Sequence, residues 1–186
     1  MIRPFLLAAS VLVAAASPAR ASDWKMDAGT SRLEFAAIFE KTAAPGVFRE
    51  FETRMRFDAD RATEGRLDVT IAVKSADMNS ADVNKAISGA EWFDFVRFPQ
   101  AEFHATDIRR TDAGRYLAQG MLTLKGLQQP VEVPFTWTET GDAARMEGEF
   151  IVQRGAFGIG TGEWAGTSVI GPDVKIKFSV RLRKGG

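Results

Sequence analysis

The chain has 186 residues, with 24 Lys and Arg against 24 Asp and Glu, one His and no Cys. Its length favours one domain, and a 45% hydrophobic content is enough to build a core. Without Cys there are no disulfides, thiolate metal sites or thiol catalysis, and balanced charge argues against a nucleic-acid partner, which needs a basic face.

Residues 1–21 read as a secretory signal. Arg3 supplies the positive start, Phe5 to Ala16 form an apolar run, and Ala19-Arg20-Ala21 makes an A-x-A cleavage site. The run would span roughly 18 Å as a helix, short of a bilayer core of about 30 Å. A mature chain from Ser22 to Gly186 would then carry a net charge of about −2. It would be a soluble exported product, stable without disulfides.

Beyond the signal the dominant period is two. Leu33, Phe35 and Ala37 suggest a first strand. In Val47–Asp58 the residues Phe51, Thr53, Met55 and Phe57 alternate with Glu50, Glu52, Arg54 and Arg56, giving one dry and one wet face. Leu67, Val69, Ile71 and Val73 alternate in the same way. Ala101–Ile108, Tyr116–Leu124, Val131–Trp137 and Arg145–Val152 read as four more strands. Val174, Ile176, Phe178, Val180 and Leu182 mark the last. Turn residues separate them, at Asp58 to Gly65, Asp112-Ala113-Gly114, Lys125-Gly126 and Gly141-Asp142. Pro134 cannot donate to a ladder and predicts an edge or a bulge.

One stretch departs from this period. Behind an N-cap at Asn79 or Ser80, Val83, Ala86, Ile87 and Ala90 fall at helical spacing, predicting a short amphipathic helix ending near Gly89. Trp92, Phe93, Phe95 and Phe98 follow, a dense aromatic cluster suited to a lid or a plug. About eight antiparallel strands with one dry face close into a barrel or stack as a two-sheet sandwich, and periodicity does not separate the two.

Several phrases resemble the YceI-like family of lipid-binding proteins. They are Trp92-Phe93-Asp94 with Phe98-Pro99 and Ala101-Glu102-Phe103, then Gly120-Met121-Leu122-Thr123-Leu124-Lys125-Gly126 before Pro130-Val131. Arg154, Phe157-Gly158-Ile159-Gly160 and Gly162-Glu163-Trp164 complete the set. The resemblance covers nearly all of the mature chain, with order and spacing kept. One phrase departs: Val83-Asn84-Lys85-Ala86-Ile87 stands where many members carry R-D-x-H-L, so no role of that phrase is carried over. The resemblance implies an eight-stranded antiparallel lipocalin-like barrel with a short helix in one connection. It also implies an apolar pore for a polyisoprenoid or another long-chain lipid, and the periplasm as the compartment. By association it implies a quinone-related role beside a cytochrome b561-type membrane protein. A homodimer is left open.

On that reading the ligand-binding set comprises Phe35, Phe51, Met55, Val69, Ile71, Phe103, Phe135, Trp137, Phe150, Ile176 and Phe178 in the lumen. Trp92 and Phe93 would stand at the mouth, with Arg154 and Phe157 beside the glycine-rich stretch. Taken residue by residue, each apolar member reads first as packed core, and the ligand reading gains its weight from the resemblance and from the 14 Phe. Arg154 could hold a phosphate or a quinone oxygen, or brace its loop through a salt bridge. The spacing of Gly158, Gly160 and Gly162 lacks the strand-to-helix context of a dinucleotide site and points to backbone geometry. His104 falls on the wet face, and an enzyme would have to build its base on it alone. No catalytic residue, metal or cofactor is expected. The alternative function is a stress-response interaction module with a packed, ligand-free interior.

Overall fold

The computed structural model describes residues 21–185; the secretory signal expected over residues 1–21 lies outside the described residues except for Ala21. Eleven strands are present: β1 Ser22–Met26, β2 Arg32–Phe39, β3 Thr42–Phe48, β4 Phe51–Phe57, β5 Arg66–Ala72, β6 Ala76–Asp77, β7 Gln100–Asp112, β8 Arg115–Leu124, β9 Leu127–Thr140, β10 Ala143–Gln153 and β11 Asp173–Lys184. The one α-helix among the described residues, α1, spans Ala81–Ile87. All pairings are antiparallel, and β1 closes the ring by pairing with both β4 and β11.

Three breaks reduce the eleven pieces to eight meandering strands. β1 and β2 are one strand interrupted at 27–31, β3 and β4 one strand interrupted at 49–50, and β5 and β6 one strand interrupted at 73–75. β11 pairs with β1 near Leu182 and with β2 from Lys175 to Ser179, so the wall changes partner along its length. The result is the barrel, not the sandwich.

The alternation seen in the sequence sets which side chains face in. Thr53, Met55 and Phe57 are buried while Glu52, Arg54 and Arg56 are exposed. At one end the inward groups pack solidly. Trp24 meets Trp137 edge-on at 5.2 Å and donates Nε1–H to the Phe57 carbonyl at 3.2 Å, and Phe57 stands against Tyr116 and Trp137 at 5.0 and 4.9 Å. Aromatic rings prefer such edge-to-face contacts, and together they seal the base. The 3-10 turn Ala62–Glu64 covers it, with Ala62 buried among the same groups.

The other end is covered by α1 and the aromatic segment after it. Ser80 is the N-cap and accepts from the Val83 N–H at 3.4 Å, as the sequence predicts. The amphipathic face is narrower than its spacing suggests. Only Ile87 is buried, while Val83, Ala86 and Ala90 are exposed, and the helix stops at Ile87 with Ser88 as its C-cap. A two-turn helix lying over a barrel rim touches the body along one line, so a single apolar position suffices to anchor it. β7 and β9 run past their predicted ends, and β1 was not expected at all. The ends of β7 and β9 beyond the barrel body are largely exposed and carry no hydrophobic alternation, whereas β1 is too short to show one.

Candidate functional site

Between the packed base and the capped end lies a cavity of about 140 Å³. It is lined by inward positions of nearly every strand together with Phe93 from the cap and Phe157 and Ile159 from the loop after β10. Apart from Thr53 and Arg154, every lining side chain is a hydrocarbon or thioether group.

The space exists because the wall carries glycines where rings need room. Phe35 lies across Gly46, directly opposite it on β3, and Phe178 lies across Gly148, directly opposite it on β10. Phe103 lies over Gly120 of β8, its diagonal neighbour, since Gly120 pairs with Ala105. Each ring thus lies along the wall instead of projecting to the axis. A Cβ on Gly148 would stand 2.6 Å from Phe178 Cζ, and one on Gly120 would stand 2.8 Å from Phe103 Cζ.

The wall is not hydrogen-bonded all the way round. β10 pairs with β11 along its whole length, but with β9 only from Ala143 to Glu147. The odd-numbered Trp137 donates its N–H to the Gly114 carbonyl on the β8 side, so the even-numbered residues of β9 direct their backbone groups toward β10. The next such positions include Pro134 and Pro130, which have no N–H to give. The edge predicted from Pro134 is therefore a local seam inside a closed barrel. Val131 and Val133 border the cavity on one side of it, Phe150 and Val152 on the other.

Arg154 begins the 3-10 turn Arg154–Phe157 and is 4% exposed. Its Nε–H donates to the Gly171 carbonyl at 3.0 Å. Nη1 donates to the carbonyls of Ile159 and Gly160 at 3.0 and 2.9 Å, and Nη2 to those of Trp164, Gly166 and Ile170 at 2.9, 2.8 and 3.0 Å. All five guanidinium donors are thereby committed. The salt bridge expected for a loop brace is absent among the described residues, and six backbone oxygens do that work instead. The same commitment leaves no donor for a phosphate or a quinone oxygen. Gly158 and Gly160, at φ 61° and 73°, let the chain wrap around this side chain.

Lys125, in the β8–β9 turn, ties the cap to this loop. Its Nζ donates to the carbonyls of Ala90 and Gly158, each at 2.7 Å, and burial lowers its pKa below the ordinary lysine value. The Glu91 carbonyl accepts from the N–H groups of Gly160 and Thr161 at 2.8 and 2.9 Å.

Of the residues expected to meet a ligand, Phe35, Phe51, Val69, Ile71, Phe93, Phe103, Phe150, Arg154, Phe157, Ile176 and Phe178 line the cavity. Met55, Phe135 and Trp137 do not: they face inward but lie in the packed base. Trp92 is also outside the lining, with its ring 5.8 Å from Trp164. Alternation reports which face a residue takes and is silent on its depth along the axis, which accounts for the first three. Leu33, Phe48, Thr53, Leu122, Val131, Val133, Val152, Val174 and Val180 join the lining without having been singled out. Most share the inward parity of residues that were, and that parity was the available signal.

His104 is on the outer face, as expected, yet it has partners the sequence did not reveal. Nδ1 is 2.7 Å from Asp68 Oδ1 across the β5–β7 rung, and Nε2 is 3.5 Å from Glu102. The Asp68 hydrogen bond, ahead of the Glu102 contact, raises its pKa above the ordinary 6.5.

Fold and cavity together define a closed antiparallel barrel with an apolar lumen, sealed at one end and capped at the other. The YceI-like domain model matches residues 24–182, and the chain belongs to that family. It is 28% identical over 128 residues to a UPF0312 protein of Photorhabdus laumondii, and 32% identical over 97 residues to one of Pectobacterium carotovorum. These matches span 66% and 50% of the relatives' lengths. Among solved structures it resembles BcnA of Burkholderia cenocepacia, with a TM-score of 0.82 and 32% identity over 84% of this chain and 98% of that one. A domain from Saccharophagus degradans described as polyisoprenoid binding has a TM-score of 0.72 over 87% of this chain and 98% of that one. At 11% identity it shows the shared fold alone.

Proposed function

We propose that this protein binds a polyisoprenoid or related long-chain lipid inside the barrel, and that it does so in the periplasm after export. The observation that carries the reading is the cavity itself, bounded by wall, base and cap and lined almost wholly by carbon. Polar groups in such a lumen would otherwise cost free energy, whereas each CH₂ moved there from water contributes about 0.8 kcal/mol. The polyisoprenoid-binding description of the Saccharophagus domain supports the same class of ligand.

The size of the cavity shapes the mechanism. At about 140 Å³ it is comparable to engineered apolar cavities of about 150 Å³ that stay dry and admit one benzene. A longer chain enters by turning the half-buried rings of Phe48, Phe93 and Phe150 outward, and Phe93 belongs to the cap rather than the wall. A quinone is one lipid of this kind; its isoprenoid tail would occupy the lumen.

Native mass spectrometry of the protein exported to a bacterial periplasm, with solvent extraction of what co-purifies, tests the reading. A stoichiometric prenyl lipid is the expected result. A mass equal to the bare chain, unchanged after incubation with prenyl lipids, would overturn it and favour the ligand-free interaction module.

A further inference from the structure

Thr53 breaks an otherwise apolar set of inward positions. On β4 it lies between Phe51, which lines the cavity, and Met55, which belongs to the packed base. Val69 stands opposite it on β5, and Phe103 stands opposite Val69 on β7. Thr53 is 1% exposed, and its hydroxyl has no hydrogen-bond partner among the described residues. No side-chain nitrogen or oxygen among them is both sealed from all free space and unpartnered, so Oγ1 is open to the cavity. A buried hydroxyl left in this state costs free energy that a valine of the same shape would avoid.

We propose that the Thr53 hydroxyl receives a neutral oxygen at the leading end of the bound lipid. This rests on the lipid-binding reading and specifies its ligand. The only other polar side chain of the lining, Arg154, has all its donors on backbone carbonyls, so the lumen offers no uncommitted charge to an anionic head group. The ligand class is therefore an uncharged isoprenoid carrying a hydroxyl or carbonyl. That end goes in first, to the boundary with the base, and the hydrocarbon follows toward the cap.

Titration with farnesol and with its saturated hydrocarbon counterpart farnesane tests this, using the wild type, Thr53→Val and Thr53→Ser. Thr53→Val is expected to weaken farnesol by about fivefold, the effect of one neutral hydrogen bond, and to leave farnesane unchanged. Thr53→Ser, which keeps the hydroxyl, retains farnesol binding. Valine matches threonine in shape, and an unchanged or raised unfolding midpoint confirms that the variant is folded. Equal losses for both ligands, or undiminished farnesol binding by Thr53→Val, would overturn the proposal while leaving lipid binding intact. Failure of the wild type to bind either ligand would overturn the lipid-binding reading and the proposal together.

Discussion

The ring of Phe35 lies across Gly46, its direct partner in the β2–β3 ladder, so closely that a Cβ on Gly46 would stand 2.7 Å from Phe35 Cε2. The nearest atoms to that Cβ all belong to the ring and none to the backbone, so Gly46→Ala must turn the ring toward the axis. The substitution is expected to destabilise by about 1–3 kcal/mol, as overpacking does, and to weaken prenyl-lipid binding as the lumen fills. Paired denaturant unfolding and farnesol titration measure both effects. Full affinity in a destabilised variant would show that this ring does not bound the ligand.

Arg154 holds six carbonyls, and a lysine offers three donors from one point. Arg154→Lys should leave several of these oxygens without a partner and destabilise by about 2–4 kcal/mol. The local consequence is faster proteolysis between residues 155 and 172 than elsewhere. Limited digestion with mapped cleavage sites checks it, and uniform digestion would count against a brace confined to this loop.

Asp77 connects β6 to the start of the helical cap. Hydrogen bonds from Asn84 first, then Arg49 and the Asn79 N–H, lower its pKa from 3.8 to about 2. A lowered carboxylate pKa means that the unfolded state binds the proton first on acidification. The contribution of Asp77 is therefore complete above the unfolded value and is lost as pH falls through the folded one. Amide exchange in α1 should rise between pH 4 and pH 2 relative to β11, and Asp77→Asn should abolish that pH dependence. Hydrogen-exchange mass spectrometry at several acidic pH values resolves the two segments.

The sign is reversed at His104. The folded-state pKa is raised, chiefly by the Asp68 hydrogen bond, so the imidazolium contributes stability below the unfolded value near 6.5. That contribution disappears as pH rises through the higher folded value. An NMR titration should place the imidazole above 6.5 and bring it down in Asp68→Asn. Lipid affinity should not follow this transition, because His104 points away from the lumen.

Much of the fold was legible because alternation is a strong signal when one face of a strand is dry. The runs at Phe51–Phe57 and Val174–Leu182 appear in the structure with their inward sets as read. β1 is not legible in the sequence, because five residues with one buried side chain, Trp24, carry too little pattern. The helix at Ala81–Ile87 is legible from the capping residues Asn79 and Ser80, of which Ser80 is the cap, while its apolar spacing overstates the face it buries. Pro134 correctly signalled a break in pairing, but only the register showed that the break is a seam bordering the cavity.

The sequence by itself determined the number of meandering strands, their inward parity and the apolar character of the inward face. These follow from the two-residue period of an extended chain, which is local. Depth along the barrel axis is a relation between strands, and only the tertiary structure decided it. The same inward parity placed Met55 and Trp137 in a sealed base and Phe51 and Phe178 on a cavity wall. Glycine–phenylalanine pairs on neighbouring strands decided whether a ring fills the lumen or lies along its wall. Six carbonyls brought together by the loop decided that the donors of Arg154 are held by its own backbone.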